Sequence, residues 1–282
     1  MLLSRAGPFL FAPRTETLMQ TGLDALIFDV DGTLADTERD GHRPAFNAAF
    51  AEAGLDWHWS VELYGELLAV TGGKERMRAY LAQYRPEFEL DKNLYSSLGE
   101  LIAQLHRRKT EHYVAMLSEG GIPMRNGVMR LLREAHAAGV RLAIATTTTP
   151  ANVTALLESA PEPRLVDWFE VIAAGDVVQE KKPASDIFEL ALAQLNLPAS
   201  ACVVVEDSEN GVRAALGAGL DALVVTTSSY TESQDFAGAA LVVDQLGEPA
   251  DPATAAVGDL GGSKVVDLAV LQRLRDQVFA CR

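Results

Sequence analysis

Four short apolar runs, each stopped abruptly by a polar residue or glycine, set the narrowest limit on what this chain can fold into. They are residues 23–28 before Asp29, 141–145 before Thr146, 171–174 before Gly175 and 202–205 before Glu206. Runs this short, apolar on both faces, suit parallel strands buried between layers of helices. The segments between them carry helical periodicity. In residues 127–138, Val128, Leu131, Leu132 and Ala135 fall on one helical face, and Gly139 follows as a C-cap. Similar faces occur in residues 185–195 and 209–218, and residues 223–225 read as a fifth strand. This alternation predicts an α/β fold with a doubly wound parallel sheet.

One stretch breaks the alternation. Residues 37–119 carry no strand signal and read as several helices, among them 45–53, 75–84 and 98–117. That is too long for a βα connection, so the expected organisation has three parts. Residues 1–20 form a disordered N-terminal extension, residues 21–36 and 120–282 an α/β core, and residues 37–119 a small α-helical cap inserted after the first strand. In the tail, a short apolar run at 241–243 precedes a loop rich in Gly, Pro and Ala, then a helix over 265–278.

At 282 residues and 48% hydrophobic, the chain can bury one sizeable core plus an insertion. A formal net charge of −15 argues against tracking a nucleic-acid backbone, which needs clustered Lys and Arg. An anionic small molecule would bind only where local cations and a metal overcome that field. The two cysteines, Cys202 and Cys281, form neither a disulfide framework nor a metal site, which fits a reducing cytoplasm. No apolar run approaches the ~20 residues that span a bilayer. The first twenty residues, interrupted by Arg5 and Arg14, lack a clean signal-peptide core. A cytoplasmic monomer without membrane contact is the expectation.

The chemistry gathers at the ends of the strands. Asp29-Val30-Asp31-Gly32-Thr33 directly follows the first, which places a carboxylate where open α/β sheets build their sites. Glu206-Asp207 closes another strand in the same manner. Acids this close cannot all ionise cheaply unless a cation or proton intervenes, and Mg²⁺ with oxygen ligands is the natural partner. Thr146 ends the second strand with a hydroxyl donor, and Lys182, ahead of Pro183, brings a positive charge. A nucleophile, charge neutralisation and positioning are the requirements of phosphoryl transfer.

These motifs, in the order Asp29-Val30-Asp31-Gly32-Thr33, Thr146, Lys182-Pro183 and Glu206-Asp207, resemble those of the haloacid dehalogenase superfamily over residues 23–243. The resemblance implies Asp29 as nucleophile and Asp31 as general acid and then base. It also implies a Mg²⁺ ion held by Asp29, the backbone carbonyl of Asp31 and Asp207, with Glu206 close by. Narrower likenesses lie in residues 35–43, 70–76, 143–150 and 205–211, which are similar to the CbbY group. Those proteins dephosphorylate xylulose 1,5-bisphosphate, an inhibitory by-product of Rubisco, in carbohydrate metabolism.

Gly72-Gly73-Lys74-Glu75-Arg76 sets two flexible residues ahead of two cations, so that Gly73, Lys74 and Arg76 are expected to bind a second phosphate. Glu38 and His42 are expected on the sugar hydroxyls, and Thr147 beside Thr146 on the substrate. A sugar phosphomutase or a phosphoglycolate-type phosphatase on the same scaffold is the alternative. A signalling receiver module, which also uses clustered Asp, Thr and Lys, is disfavoured because its acid pair precedes the phosphoacceptor.

Overall fold

The computed structural model describes residues 22–120 and 122–280. The expected N-terminal extension and Cys281 lie outside the described residues. Strand β1 (Ala25–Phe28) leads through a π-helical turn (Glu38–His42) into helices α1 (Arg43–Glu52), α2 (Val61–Leu67), α3 (Gly73–Tyr84) and α4 (Leu98–Ser118). The chain then alternates: α5 (Val128–Ala138), β2 (Arg141–Thr146), α6 (Pro150–Ser159), β3 (Phe169–Ala174), α7 (Asp186–Leu195), β4 (Cys202–Glu206), α8 (Glu209–Gly217) and β5 (Leu223–Thr226). It finishes with β6 (Leu241–Val243), β7 (Ala255–Val257) and α9 (Leu268–Ala280).

The strands form a single sheet in the order β3-β2-β1-β4-β5-β6-β7, parallel except for β7, which runs antiparallel to β6. Strand β1 is central, with Phe28 in register with Ile144 on one side and Val205 on the other. Its side chains alternate between two cores. Ala25 and Ile27 pack with Ile187 and Phe188 of α7 and Val212 of α8; Leu26 and Phe28 pack on the opposite face with Leu131 of α5 and Leu271 of α9. The doubly wound α/β sheet is therefore as the apolar runs predicted.

Three elements depart from the sequence reading. Strand β7 lies in the stretch read as a loop, where its exposed, Ala-rich sequence at the sheet edge carries no apolar run to announce it. Helix α2 is only seven residues long and contains Gly65, so its periodicity is too short to register. The π-helical turn has one residue more than a regular turn, a feature that often marks functional sites.

The helices between β1 and β2 build a third core of a different kind, in which Phe46, Phe50, Trp57, Trp59, Tyr64 and Tyr80 meet edge to face or tilted. These rings bury a large apolar area between the helices. The chain leaves and re-enters the sheet side by side. Ala35 and Met124 form an antiparallel bridge, and the Arg125 N–H donates to the Leu34 carbonyl at 2.8 Å.

Candidate active site

Strand order reverses between β1 and β4, and at the C-terminal edge there the acids expected from the sequence come together. The Asp29 N–H extends the ladder to the Val205 carbonyl at 3.0 Å, which fixes the backbone one residue beyond the strand. Asp29, Glu206 and Asp207 each present a carboxylate oxygen, all within 4.8 Å of one another, and all three residues are buried.

Lys182 is the cation among them. It enters from the segment between β3 and α7, and its Nζ donates to Asp29 Oδ1 at 2.7 Å, Glu206 Oε1 at 2.5 Å and the Ala145 carbonyl at 2.8 Å. All three ammonium protons are thereby used. Burial weakens such a charge, but Asp29 and Glu206 outweigh it and raise the lysine's pKa.

One lysine does not balance three acids. Burial, opposed by Lys182 and reinforced by Glu206 and Asp31, lifts Asp29 to about 7. Burial, then Glu206 and Asp29, push Asp207 well above the usual carboxylate range. Asp207 accepts one side-chain hydrogen bond, from the Ser228 hydroxyl at 3.0 Å. Glu206 is better satisfied, since its second oxygen accepts from the Asp207 N–H at 3.0 Å and the Ser208 N–H at 3.4 Å. Its carboxylate is committed to Lys182 and to its own turn, whereas Asp207 is left facing Asp29.

Asp31 points elsewhere. Its Oδ1 accepts from the Thr37 hydroxyl at 2.5 Å and contacts His42 Nε2 at 2.8 Å. His42 Nδ1 meets Lys109 Nζ, 2.8 Å away on α4. An ammonium only donates, so it makes Nδ1 the acceptor and leaves the ring proton on Nε2, aimed at Asp31. Burial opposes ionisation of Asp31, but its contacts with His42 and Thr37 and the charge of Lys109 outweigh burial and hold its carboxyl well below the usual range. Burial lowers Lys109 itself to about 8.

A cavity of about 400 Å³ opens above this floor. Asp29, Asp31, Thr146, Thr147, Lys182 and Asp207 line its sheet side, and Glu38 and Arg76 its helical side. Tyr64 links the latter pair: its hydroxyl donates to Glu38 and accepts from Arg76 Nη1 at 2.8 Å. The buried Thr146 hydroxyl accepts from the Thr148 N–H at 3.3 Å and keeps its own proton available.

The remaining expected residues are placed differently. Gly73 and Lys74 line only a smaller recess of about 40 Å³ beside the cavity, where Lys74 Nζ pairs with Asp176 at 2.5 Å. His42, expected on a sugar hydroxyl, has both ring nitrogens engaged and serves Asp31 instead.

Sequence reasoning also missed Lys109, although a signal was present. Ile102, Leu105, Lys109 and Tyr113 recur at three- and four-residue spacing on the buried face of α4, so the lysine occupies an apolar position. Tyr64, Ser228 and Tyr230 carried no comparable mark.

The chain belongs to the haloacid dehalogenase-like hydrolase family, whose pattern matches residues 23–219. Within it the protein is a CbbY-like phosphatase. It is 48% identical over 233 residues to the plasmid CbbY protein of Cupriavidus necator, covering 82% of this chain and 88% of that one. It is 41% identical over 230 residues to a CBBY-like protein of Arabidopsis thaliana, covering 80% and 70%. A crystal structure of mutant CbbY from Rhodobacter sphaeroides in complex with xylulose-(1,5)bisphosphate matches with a TM-score of 0.75 at 44% identity, covering 89% of this chain and 99% of that one. No helix among the described residues is long and apolar enough to cross a membrane.

Proposed function

We propose that this enzyme is a Mg²⁺-dependent phosphatase that converts xylulose 1,5-bisphosphate to xylulose 5-phosphate, with residues 37–119 acting as a cap over the catalytic core. The carrying observation is the setting of Asp29, a buried carboxylate flanked by Lys182 and Asp207 at the floor of a cavity whose far wall holds Arg76. Similarity to a CbbY protein solved with that bisphosphate supports the choice of substrate.

The residues fit a hard divalent ion. Asp29 and Asp207 face each other with a deficit of positive charge, and Gly32 makes the approach possible, since a Cβ there would overlap the Asp207 carboxylate. Asp29, Asp207 and the backbone carbonyl of Asp31 would hold the ion, with Glu206 restraining Lys182 beside it. When bound, Mg²⁺ supplies charge neutralisation to the phosphoryl oxygens.

Asp29 attacks phosphorus in line, the phosphorus–oxygen ester bond breaks, and an aspartyl-phosphate forms. Lys182 orients Asp29, and the Thr146 and Thr147 hydroxyls donate to the phosphoryl oxygens. Asp31 protonates the departing sugar oxygen, then takes a proton from the water that cleaves the aspartyl-phosphate. In the free enzyme Asp31 is a carboxylate; the negative phosphate brought beside it raises its affinity for the proton, which it takes up from solvent as the substrate binds. At the opposite wall, Arg76 meets the second phosphate.

Release of inorganic phosphate from a panel containing xylulose 1,5-bisphosphate, ribulose 1,5-bisphosphate and phosphoglycolate, with Mg²⁺ present, tests the reading. The first is expected to be preferred, with stoichiometric phosphate release that a phosphomutase would not give. Preference for phosphoglycolate would overturn it.

A further inference from the structure

Tyr230 sits on the loop between β5 and β6, one end of which is fixed at the acidic cluster: Ser228 donates to Asp207 at 3.0 Å, and the Ser228 N–H donates to Thr231 Oγ1 at 2.8 Å. From this anchored loop the phenol crosses to the helical side of the cavity. It meets Tyr64 edge to face, 6.0 Å between centroids, and lies over Gly65 of α2.

The glycine is informative. Inside a helix Gly is a poor choice compared with Ala. A Cβ at position 65, however, would stand 3.1 and 3.3 Å from two carbons of the Tyr230 ring, so helix propensity is given up for the entry of this side chain.

The Tyr230 hydroxyl is buried and has no hydrogen-bond partner among the described residues, and the same holds for Arg76 Nε. Both residues line the large cavity. Buried polar groups are nearly always paired, and an unpaired one costs stability. Each of these donors would be matched by an oxygen acceptor brought against it from the cavity. The guanidinium charge favours an anionic oxygen.

We infer that Tyr230 is a specificity-determining residue, whose hydroxyl acts with Arg76 Nε to recognise an anionic oxygen on the part of the substrate remote from the phosphorus under attack. The inference rests on the bisphosphate reading above and deepens it. It adds to the Arg76 wall a residue from the catalytic core, carried on the loop that also steadies Asp207.

The test compares kcat/KM for xylulose 1,5-bisphosphate with kcat/KM for p-nitrophenyl phosphate, which has no second anion. Tyr230→Phe should lower the ratio of the two roughly tenfold, the scale of a lost hydrogen bond to a charged group. Gly65→Ala should lower it as well by displacing the ring, while the melting temperature holds or rises because Ala favours the helix. An unchanged ratio in both variants, or a uniform loss on both substrates accompanied by a fall in melting temperature, would overturn the inference. If the unaltered enzyme shows no preference for the bisphosphate, the proposed function fails and the inference fails with it. If that preference is present and Tyr230→Phe leaves the ratio unchanged, the inference alone fails.

Discussion

The sheet and the helical block that interrupts it hold their charged groups in opposite ways. At the sheet edge, Lys182 bonds directly to both Asp29 and Glu206, which stand at the ends of strands, while the lysine reaches in from the segment between β3 and α7. In the block, Tyr64 bonds to both Glu38 and Arg76, whose charged groups also lie 3.7 Å apart, and Lys109 reaches Asp31 through His42. Short parallel strands fix a side chain at a set height above the layer, so neighbouring strands can combine acids to within a few ångströms. Helices distribute side chains around a cylinder instead of along one edge, and there rings and relayed hydrogen bonds define position. The sheet edge is thus suited to chemistry that tolerates little displacement, and the block to recognising what lies around the phosphate.

That contrast predicts a gradient of effects. Asp29→Asn, at the centre of the strand-end cluster, should reduce phosphate release on the order of 10⁴-fold or more, as measured by a single-turnover assay. Thr146→Ala removes one positioned donor and should cost on the order of 10²–10³ in kcat. Full activity in this variant would remove Thr146 from the site. Arg76→Ala should act chiefly on KM for a bisphosphate, by roughly 10- to 100-fold, because a charged hydrogen-bonding partner is lost. An effect confined to kcat would place Arg76 with the sheet residues and erase the distinction.

Lys109→Met should separate activity from stability. Burial lowers Lys109 to about 8 from an ordinary value of 10.5. Between those values the unfolded chain binds more protons than the folded one, so this site's contribution to stability rises with pH from about 8 to 10.5, and the penalty is fully present below about 8. The Met variant should therefore melt higher at pH 7, lose that pH dependence and turn over about tenfold more slowly, since His42 no longer has its fixed tautomer. A lower melting temperature at pH 7 would show that the lysine stabilises the fold. Smallest of all, Lys74→Ala breaks a partly exposed pair with Asp176 and should change KM by no more than about threefold. A larger rise would return Lys74 to the substrate.

The same contrast explains what the sequence disclosed. Strand-end residues are contiguous with the apolar runs that place them, so Asp29, Asp31, Thr146 and Glu206-Asp207 could be located from local pattern alone, and Lys182 from its neighbour Pro183. Arg76 was marked by the two glycines and Lys74 ahead of it in an otherwise acidic chain. Lys109 stood out only as a cation on the apolar stripe of its helix, and its partner, like those of Tyr64, depends on how the helices and the π-helical turn pack, which no local window contains. Gly65 and Tyr230 stand 165 residues apart in the chain and are joined only by a ring lying over a bare backbone. His42 was found near the first motif, but its contacts with Asp31 and Lys109 depend on the fold of the turn and on α4 and could not be read from the sequence.

The bridge between Ala35 and Met124 has a consequence for engineering and descent. Since the outgoing and returning segments are already hydrogen-bonded neighbours, the interval between them can be exchanged as one cassette without rerouting any strand, and loop-closure entropy grows slowly with the length inserted. A library confined to that interval would resample the helical side of the cavity while every residue of the strand-end cluster and its partners, apart from Thr37, His42 and Lys109, stayed as it is.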